Sequence, residues 1–125
     1  MDTKFYVCPV CGQVVEKVTD KGIPVVCCGK PMEELKANTT DASQEKHVPV
    51  VTVDGNKVNV TVGSVAHPME AEHYIEWIYV QTENGGLRKT LNPGDAPEAE
   101  FCLDGDKAVA VYAYCNLHGL WKADL

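Results

Sequence analysis

The sequence predicts a mainly β protein in two unequal parts, a small metal-bound N-terminal segment and an antiparallel β-sandwich. Three observations carry this. Short runs of β-branched and aromatic residues recur roughly every 8–12 residues between turn signals. Helical periodicity never lasts longer than a turn or two. Four of the six cysteines fall at or before Cys28, ahead of a small and polar stretch, Ala-Asn-Thr-Thr-Asp-Ala-Ser-Gln-Glu-Lys over 37–46, that reads as a linker.

The elements follow in chain order. Residues 1–36 carry turn signals at Pro9, Gly12, Gly22, Pro24, Gly29 and Pro31, with few large apolar side chains. So short a segment cannot bury enough surface to fold alone, so a metal or a partner subunit must hold it. Beyond the linker, Val48 to Val53 and Lys57 to Val62 flank Asp54-Gly55-Asn56, a hairpin signal. His73 to Thr82 is a long aromatic strand, followed by Glu83-Asn84-Gly85-Gly86 and a short strand from Leu87 to Leu91. After a turn-rich stretch over 92–97, Glu98 to Leu103 and Lys107 to Cys115 flank Asp104-Gly105-Asp106, which predicts a second hairpin. In the first of these strands Ala99, Phe101 and Leu103 alternate as the inward face. Cys102, with Glu98 and Glu100, then points outward as a free thiol.

Composition bounds the function. The chain of 125 residues is 45% hydrophobic and 23% charged, which is ordinary for a folded domain and too apolar for a disordered one. No apolar run approaches the roughly 20 residues of a membrane helix. Met1 to Cys8 lack an apolar signal core, so the expected location is the cytoplasm. A net charge of −7 argues against broad binding to nucleic acid or anionic membrane. The excess lies wholly in residues 37–125, with six basic and thirteen acidic groups, so an anionic substrate needs a local positive feature to reach it.

The cysteines point to a metal. Cys8-Pro9-Val10-Cys11-Gly12 presents two sulfurs from one tight turn, and Cys27-Cys28-Gly29 supplies two more. A reducing compartment disfavours disulfides, and a bridge between adjacent cysteines would be strained. Four thiolates suit tetrahedral zinc or iron, and the spacing does not choose between them. The adjacent pair should distort the tetrahedron. The second set is more informative. All four histidines, His47, His67, His73 and His118, lie in the second segment at strand ends or in loops, and Cys115 stands three residues before His118. Imidazole and thiolate are donors for first-row transition metals. A blue-copper site is disfavoured, because no methionine follows His118 and two histidines would be left over.

Read together, CPVCG with VCCG, EKHVPV, AHPME, EHYIEWI and YCNLHGLW resemble desulfoferrodoxin, the two-iron class of superoxide reductase, over essentially the whole chain. The resemblance implies a desulforedoxin-like domain over 1–36 with iron on Cys8, Cys11, Cys27 and Cys28, where zinc can substitute. It implies an immunoglobulin-like sandwich or barrel over 37–125 that carries the catalytic iron. In the family four imidazoles lie in a plane and a cysteine sulfur is axial, matched here by His47, His67, His73, His118 and Cys115. The sixth position is open in the ferrous state and taken by a glutamate, matched by Glu45, in the ferric state. The neighbouring lysine, matched by Lys46, attracts superoxide and supports its protonation. Because both precede a ligand directly, a small loop motion would exchange them at the iron. The implied activity is one-electron reduction of superoxide, with two protons, to hydrogen peroxide, in defence against oxidative stress. The implied partners are rubredoxin or a similar electron donor and a second copy of the chain in a homodimer. The aromatic residues Tyr74, Trp77, Tyr79, Tyr112, Tyr114 and Trp121 read as strand packing, Tyr114 and Trp121 shielding the ligand loop, and Met69 as packing rather than a ligand. A pure electron carrier and a zinc-ribbon binding module are the alternatives from other classes.

Overall fold

The structure is a computed structural model, and it describes residues 3–125. Two compact units form, the first ending at Lys36 and the second running Ala37–Leu125.

In the first unit, β1 (Phe5–Val7) is the middle of a three-stranded antiparallel sheet, between β2 (Val14–Glu16) and a later strand, Glu33–Glu34. Between them β3 (Val26–Cys27) and β4 (Lys30–Pro31) make a separate hairpin, and Glu33–Glu34 is β5. The hairpin loop is Cys28-Gly29, with φ of 52° and 74°. Two consecutive positive φ values are the two-residue turn that matches strand twist, where Asn-Gly is the usual pair. A cysteine in that position costs about 1–2 kcal/mol of backbone strain, which marks its sulfur as the reason it is there. Among the described residues of this unit only Phe5, Cys8 and Met32 are buried. Three side chains are too few to hold it by apolar burial alone.

The second unit is a seven-stranded sandwich preceded by one helical turn, α1 (Gln44–His47). Its strands are β6 (Pro49–Asp54), β7 (Lys57–Val62), β8 (Ile75–Thr82), β9 (Gly86–Thr90), β10 (Glu98–Cys102), β11 (Ala108–Cys115) and β12 (Gly119–Asp124). One sheet has the order β10-β7-β6 and the other β12-β11-β8-β9, all antiparallel. The alternation in β7 buries Val58, Val60 and Val62, and β10 buries Ala99 and Phe101 while Glu98, Glu100 and Cys102 face out. These meet Ile78 and Val80 of β8 and Val111 and Ala113 of β11 in one core shared by both sheets. Each fully buried valine or isoleucine among them contributes roughly 1.5–3 kcal/mol.

Two expectations are corrected. Asp104-Gly105-Asp106 does not close a hairpin: β10 pairs with β7, β11 pairs with β8 and β12, and the turn carries the chain from one sheet to the other. A turn signal specifies a reversal of direction and says nothing about the pairing partner, which β7 wins by offering Val58 and Val60 opposite Phe101 and Ala99. The stretch 37–46 is not a free linker either. The side chain of Asn38 accepts from the Lys122 N–H at 2.9 Å and donates to the Lys122 carbonyl at 3.1 Å, an amide added to the edge of β12.

The topology gathers the histidine-bearing segments at one end of the sandwich. Cys115 ends β11, Asn116-Leu117-His118 is a three-residue hairpin loop, and β12 starts at Gly119, whose φ of 77° closes that loop. Cys115 faces Ile75 across the sheet, so His73 enters beside it. Between the pairs Tyr114–Trp77 and Cys115–Ile75 the register slips, leaving Glu76 as a bulge residue next to the sulfur-bearing end of β11.

Candidate metal centres

The structure brings Cys8, Cys11, Cys27 and Cys28 together, with all four sulfurs within 4.8 Å of one another. Ligands at roughly 2.3 Å on a tetrahedron stand roughly 3.8 Å apart. Cys11 and Cys27 are 3.7 Å apart, and the adjacent pair Cys27 and Cys28 opens to 4.0 Å. Gly12, at φ 81°, lets the turn after Cys8 curl so that the Cys11 and Val10 N–H groups both donate to the Cys8 sulfur at 3.4 Å. Those bonds, that of Cys11 foremost, pull the Cys8 thiol down to about 6. Sharing with the Cys8 and Cys11 sulfurs pushes Cys27 up to about 12 and Cys28 upward as well. Four sulfurs this close ionise together only around a cation. Their chemistry and spacing fit one.

At the end of the sandwich the donor atoms of His47, His67, His73 and Cys115 also lie within 4.8 Å of one another. His118 joins them, its Nδ1 standing 3.1 Å from His47 Nε2 and 3.9 Å from Cys115 Sγ. The four rings run in the order His47, His67, His73, His118, with neighbouring centroids 4.6, 4.7, 5.1 and 4.9 Å apart. Neighbouring ring planes are crossed at 73° to 89°. The diagonal from His47 to His73 is 6.4 Å. A square has a diagonal roughly 1.4 times its side, whereas tetrahedral donors are all equally spaced, so the rings describe a square rather than a zinc-like tetrahedron.

Protonation supports the same view. His47 Nδ1–H donates to the Ser43 carbonyl and His67 Nδ1–H to the Pro68 carbonyl, both at 2.6 Å. Each ring therefore presents a bare Nε2, and these two nitrogens face each other at 3.1 Å. Two lone pairs so placed repel unless a cation lies between them; two ligands at right angles and roughly 2.1 Å from a metal are roughly 3.0 Å apart. Burial drives the His67 ring down to about 4 and lowers that of His47, so both are neutral and ready to ligate. His73 Nε2 is buried with no hydrogen-bond partner among the described residues, the lone orphan of its kind there. Burial pushes the Cys115 thiol up, against N–H groups of Leu117 and His118 that favour the thiolate, so an ionised sulfur there needs a positive partner. A divalent metal ion answers every one of these conditions.

Glu45 and Lys46 sit on the helical turn ending at His47 and are exposed. The backbone beneath them is pinned. The Glu45 carbonyl accepts from the Val65 N–H at 2.9 Å and from Ser64 Oγ at 3.2 Å. Gly63 packs so closely that a Cβ there would lie 2.5 Å from the Glu45 oxygen. Trp121, 1% exposed, bridges two of the clustered histidines: its ring stacks on His47 at 4.8 Å and its indole N–H donates to the His118 carbonyl at 3.1 Å. That role exceeds the shielding read from the sequence, where only its nearness to His118 gave a signal. Met69 packs on the core, its sulfur accepting from the Ile75 N–H at 3.4 Å, and Cys102 is a free exposed thiol.

Comparison with known proteins agrees with these centres. The family model described as Desulfoferrodoxin matches residues 39–124, and that described as Desulfoferrodoxin, N-terminal domain, matches residues 2–35. The chain is 53% identical over 121 residues to the desulfoferrodoxin of Nitratidesulfovibrio vulgaris, covering 97% of this chain and 95% of that one. It is 54% identical over 120 residues to a desulfoferrodoxin homolog of Archaeoglobus fulgidus, covering 96% and 95%. Among solved structures, the superoxide reductase from Treponema pallidum superposes with a TM-score of 0.84 at 38% identity, covering 99% of this chain and all of that one.

Proposed function

The chain belongs to the desulfoferrodoxin family, and on that premise we propose that it is a superoxide reductase. It takes superoxide, one electron and two protons to hydrogen peroxide and forms no dioxygen. The observation that carries the reading is the square of four imidazoles with the Cys115 sulfur beside it, because five donors of this kind leave an octahedral metal one position for a small anion. Iron, when bound by His47, His67, His73, His118 and Cys115, supplies the electron.

The chain's own residues do the rest. Ser43 and Pro68 keep the His47 and His67 rings in the ligating tautomer. The Cys115 thiolate would raise electron density at the metal, the lever that thiolate ligation also works in haem proteins. Lys46 supplies the local positive charge that draws superoxide into a chain of net charge −7 and favours its protonation. Glu45, exposed on the turn ending at His47, is the carboxylate that would ligate the metal in the oxidised resting protein. Since its backbone is held by Ser64 and Val65, Glu45 would move toward or away from the metal by side-chain rotation rather than by a loop movement.

The finer assignments belong to the same proposal. Residues 37–125 form the catalytic domain, and residues 1–36 form a desulforedoxin-like domain that holds a second iron on its four cysteines, with zinc as a possible substitute. That iron relays electrons or staples its domain. The chain works as a homodimer, supported by the exposure of Val10, Val18, Ile23 and Val26 on the small unit. Its electron donor is rubredoxin or a similar small redox protein, and it acts in the cytoplasm. Among the described residues no helix is long and apolar enough to cross a membrane.

The test is rapid mixing of the fully reduced protein with superoxide, with peroxide and dioxygen counted. One peroxide per superoxide, no dioxygen and stoichiometric oxidation of the metal is the expected result. Dioxygen at half the superoxide consumed would make the protein a dismutase, and no reaction would return it to the electron carriers.

A further inference from the structure

The four histidines are not held in the same way. His47 and His67 are oriented through their rings, by the Ser43 and Pro68 carbonyls. His118 is held at its carbonyl by Trp121. Among the described residues no comparable group is seen to hold the His73 ring, whose Nε2 is buried without a partner. The backbone of His73 exchanges two hydrogen bonds with Glu70, N–H to carbonyl at 3.1 and 2.9 Å. Those bonds fix the shape of the 70–73 turn, but they do not set where the turn lies relative to the other ligands.

Beyond the pairing of Ile75 with Cys115, one side chain does. Asn116 Nδ2 donates to the Glu72 carbonyl at 3.0 Å, and Asn116 Oδ1 accepts from the Tyr74 N–H at 3.0 Å. The Asn116 N–H also donates to the Tyr74 carbonyl at 3.2 Å. Three bonds thus straddle His73, and they come from the residue that follows Cys115 and stands two before His118. A primary amide can donate and accept at once across this span, as a strand neighbour would; a carboxylate lacks the donor and an aliphatic side chain lacks both. We propose that Asn116 is the positioning residue for His73, locking its segment to the Cys115–His118 loop so that three ligands from two parts of the chain reach one metal in register. Its effect is exerted on metal capture, before any chemistry. This rests on the reading that the histidine–cysteine cluster is a metal site.

The experiment is a double-mutant cycle on the full chain, with cobalt(II) as the probe, because its absorption differs between a histidine-rich site and a four-thiolate one. Affinity is measured by chelator competition for the parent, Asn116→Leu, His73→Ala and the double variant. Outer-shell substitutions of this kind cost about 10- to 100-fold in metal affinity. The expected result is a loss of about 10-fold or more in each single variant, with the double variant no weaker than His73→Ala to within about twofold, since Asn116 acts through His73. A purely structural role would make the two losses multiply, and that outcome overturns the proposal, as does parental affinity in Asn116→Leu. Should Asn116→Leu fail to fold, Asn116→Asp takes its place: it keeps the acceptor for Tyr74 but opposes a carboxylate to the Glu72 carbonyl, and the same non-additive loss is required of it. If His73→Ala itself leaves cobalt binding untouched, the cluster reading falls, which is distinct from Asn116 failing alone.

Discussion

His67 shows how single residues prepare the centre before a metal arrives. It is 3% exposed, and burial is the main reason its ring is driven to about 4 from the ordinary 6.5. The bond to the Pro68 carbonyl opposes that shift and fixes which nitrogen carries the hydrogen. The sign of the effect on stability follows. An unfolded chain takes up a proton at this ring near 6.5 while the folded chain refuses it down to about 4, so folding is fully favoured by His67 above 6.5 and loses that contribution as the pH falls toward 4. In metal-free protein the His67 ring should therefore titrate near 4 by nuclear magnetic resonance, and chemical denaturation should show stability falling between pH 6.5 and 4, less so in His67→Gln. A midpoint near 6.5 would mean that the ring swings out to water and that the cluster is assembled by the metal instead.

At the level of elements, the centre depends on close contact between segments that the sequence keeps apart. The turn carrying Glu45, Lys46 and His47 rests directly on Gly63. In Gly63→Ala the new Cβ would meet the Glu45 oxygen at 2.5 Å and the Lys46 carbonyl carbon at 2.9 Å, backbone atoms that can yield only by moving the turn. We expect metal at the histidine–cysteine centre to be held about 10-fold more weakly, with the four-thiolate centre unchanged, as read by chelator competition. Equal retention by both proteins would show that the turn has slack. No feature of the sequence pointed to Gly63, because what makes it necessary is a neighbour some twenty residues away. The alternation of β7 and β10 was legible, since burial on one face writes itself into every second residue. So was the grouping of the cysteine and histidine donors into two clusters, because donor chemistry restricts such clusters to few residue types. The partner of β10 was not, nor was β12, where Gly-Leu-Trp-Lys-Ala-Asp has no alternation and becomes a strand through its pairing with β11. The amide clamp of Asn116 and the bridging of two ligands by Trp121 were equally hidden, because both are properties of contact rather than of composition.

Taken as a whole molecule, the chain combines two units of very different self-sufficiency. The sandwich buries a core from both of its sheets, whereas the first unit buries only Phe5, Cys8 and Met32 among its described residues. Stripping metal from the full chain should therefore abolish amide protection at Tyr6 and Val15 while Val60 and Val111 keep theirs, as hydrogen exchange would record. Protection surviving in β1 and β2 would mean that something other than the metal holds that sheet. Charge is the second property of the whole. Superoxide is an anion approaching a chain of net charge −7, so the distant field repels it and only a local feature can reverse that. Lys46, exposed on the turn that ends at His47, is the cation proposed to do so. Added salt screens the pull of so exposed a cation, with a screening length of about 10 Å at 0.1 M. Lys46→Ala should then react more slowly with superoxide at low salt, and the salt dependence of its rate should be weaker than that of the parent. Stopped-flow rates across a salt series measure both. An unchanged rate would remove Lys46 from the path of the substrate and leave the approach to be governed by the open metal position alone.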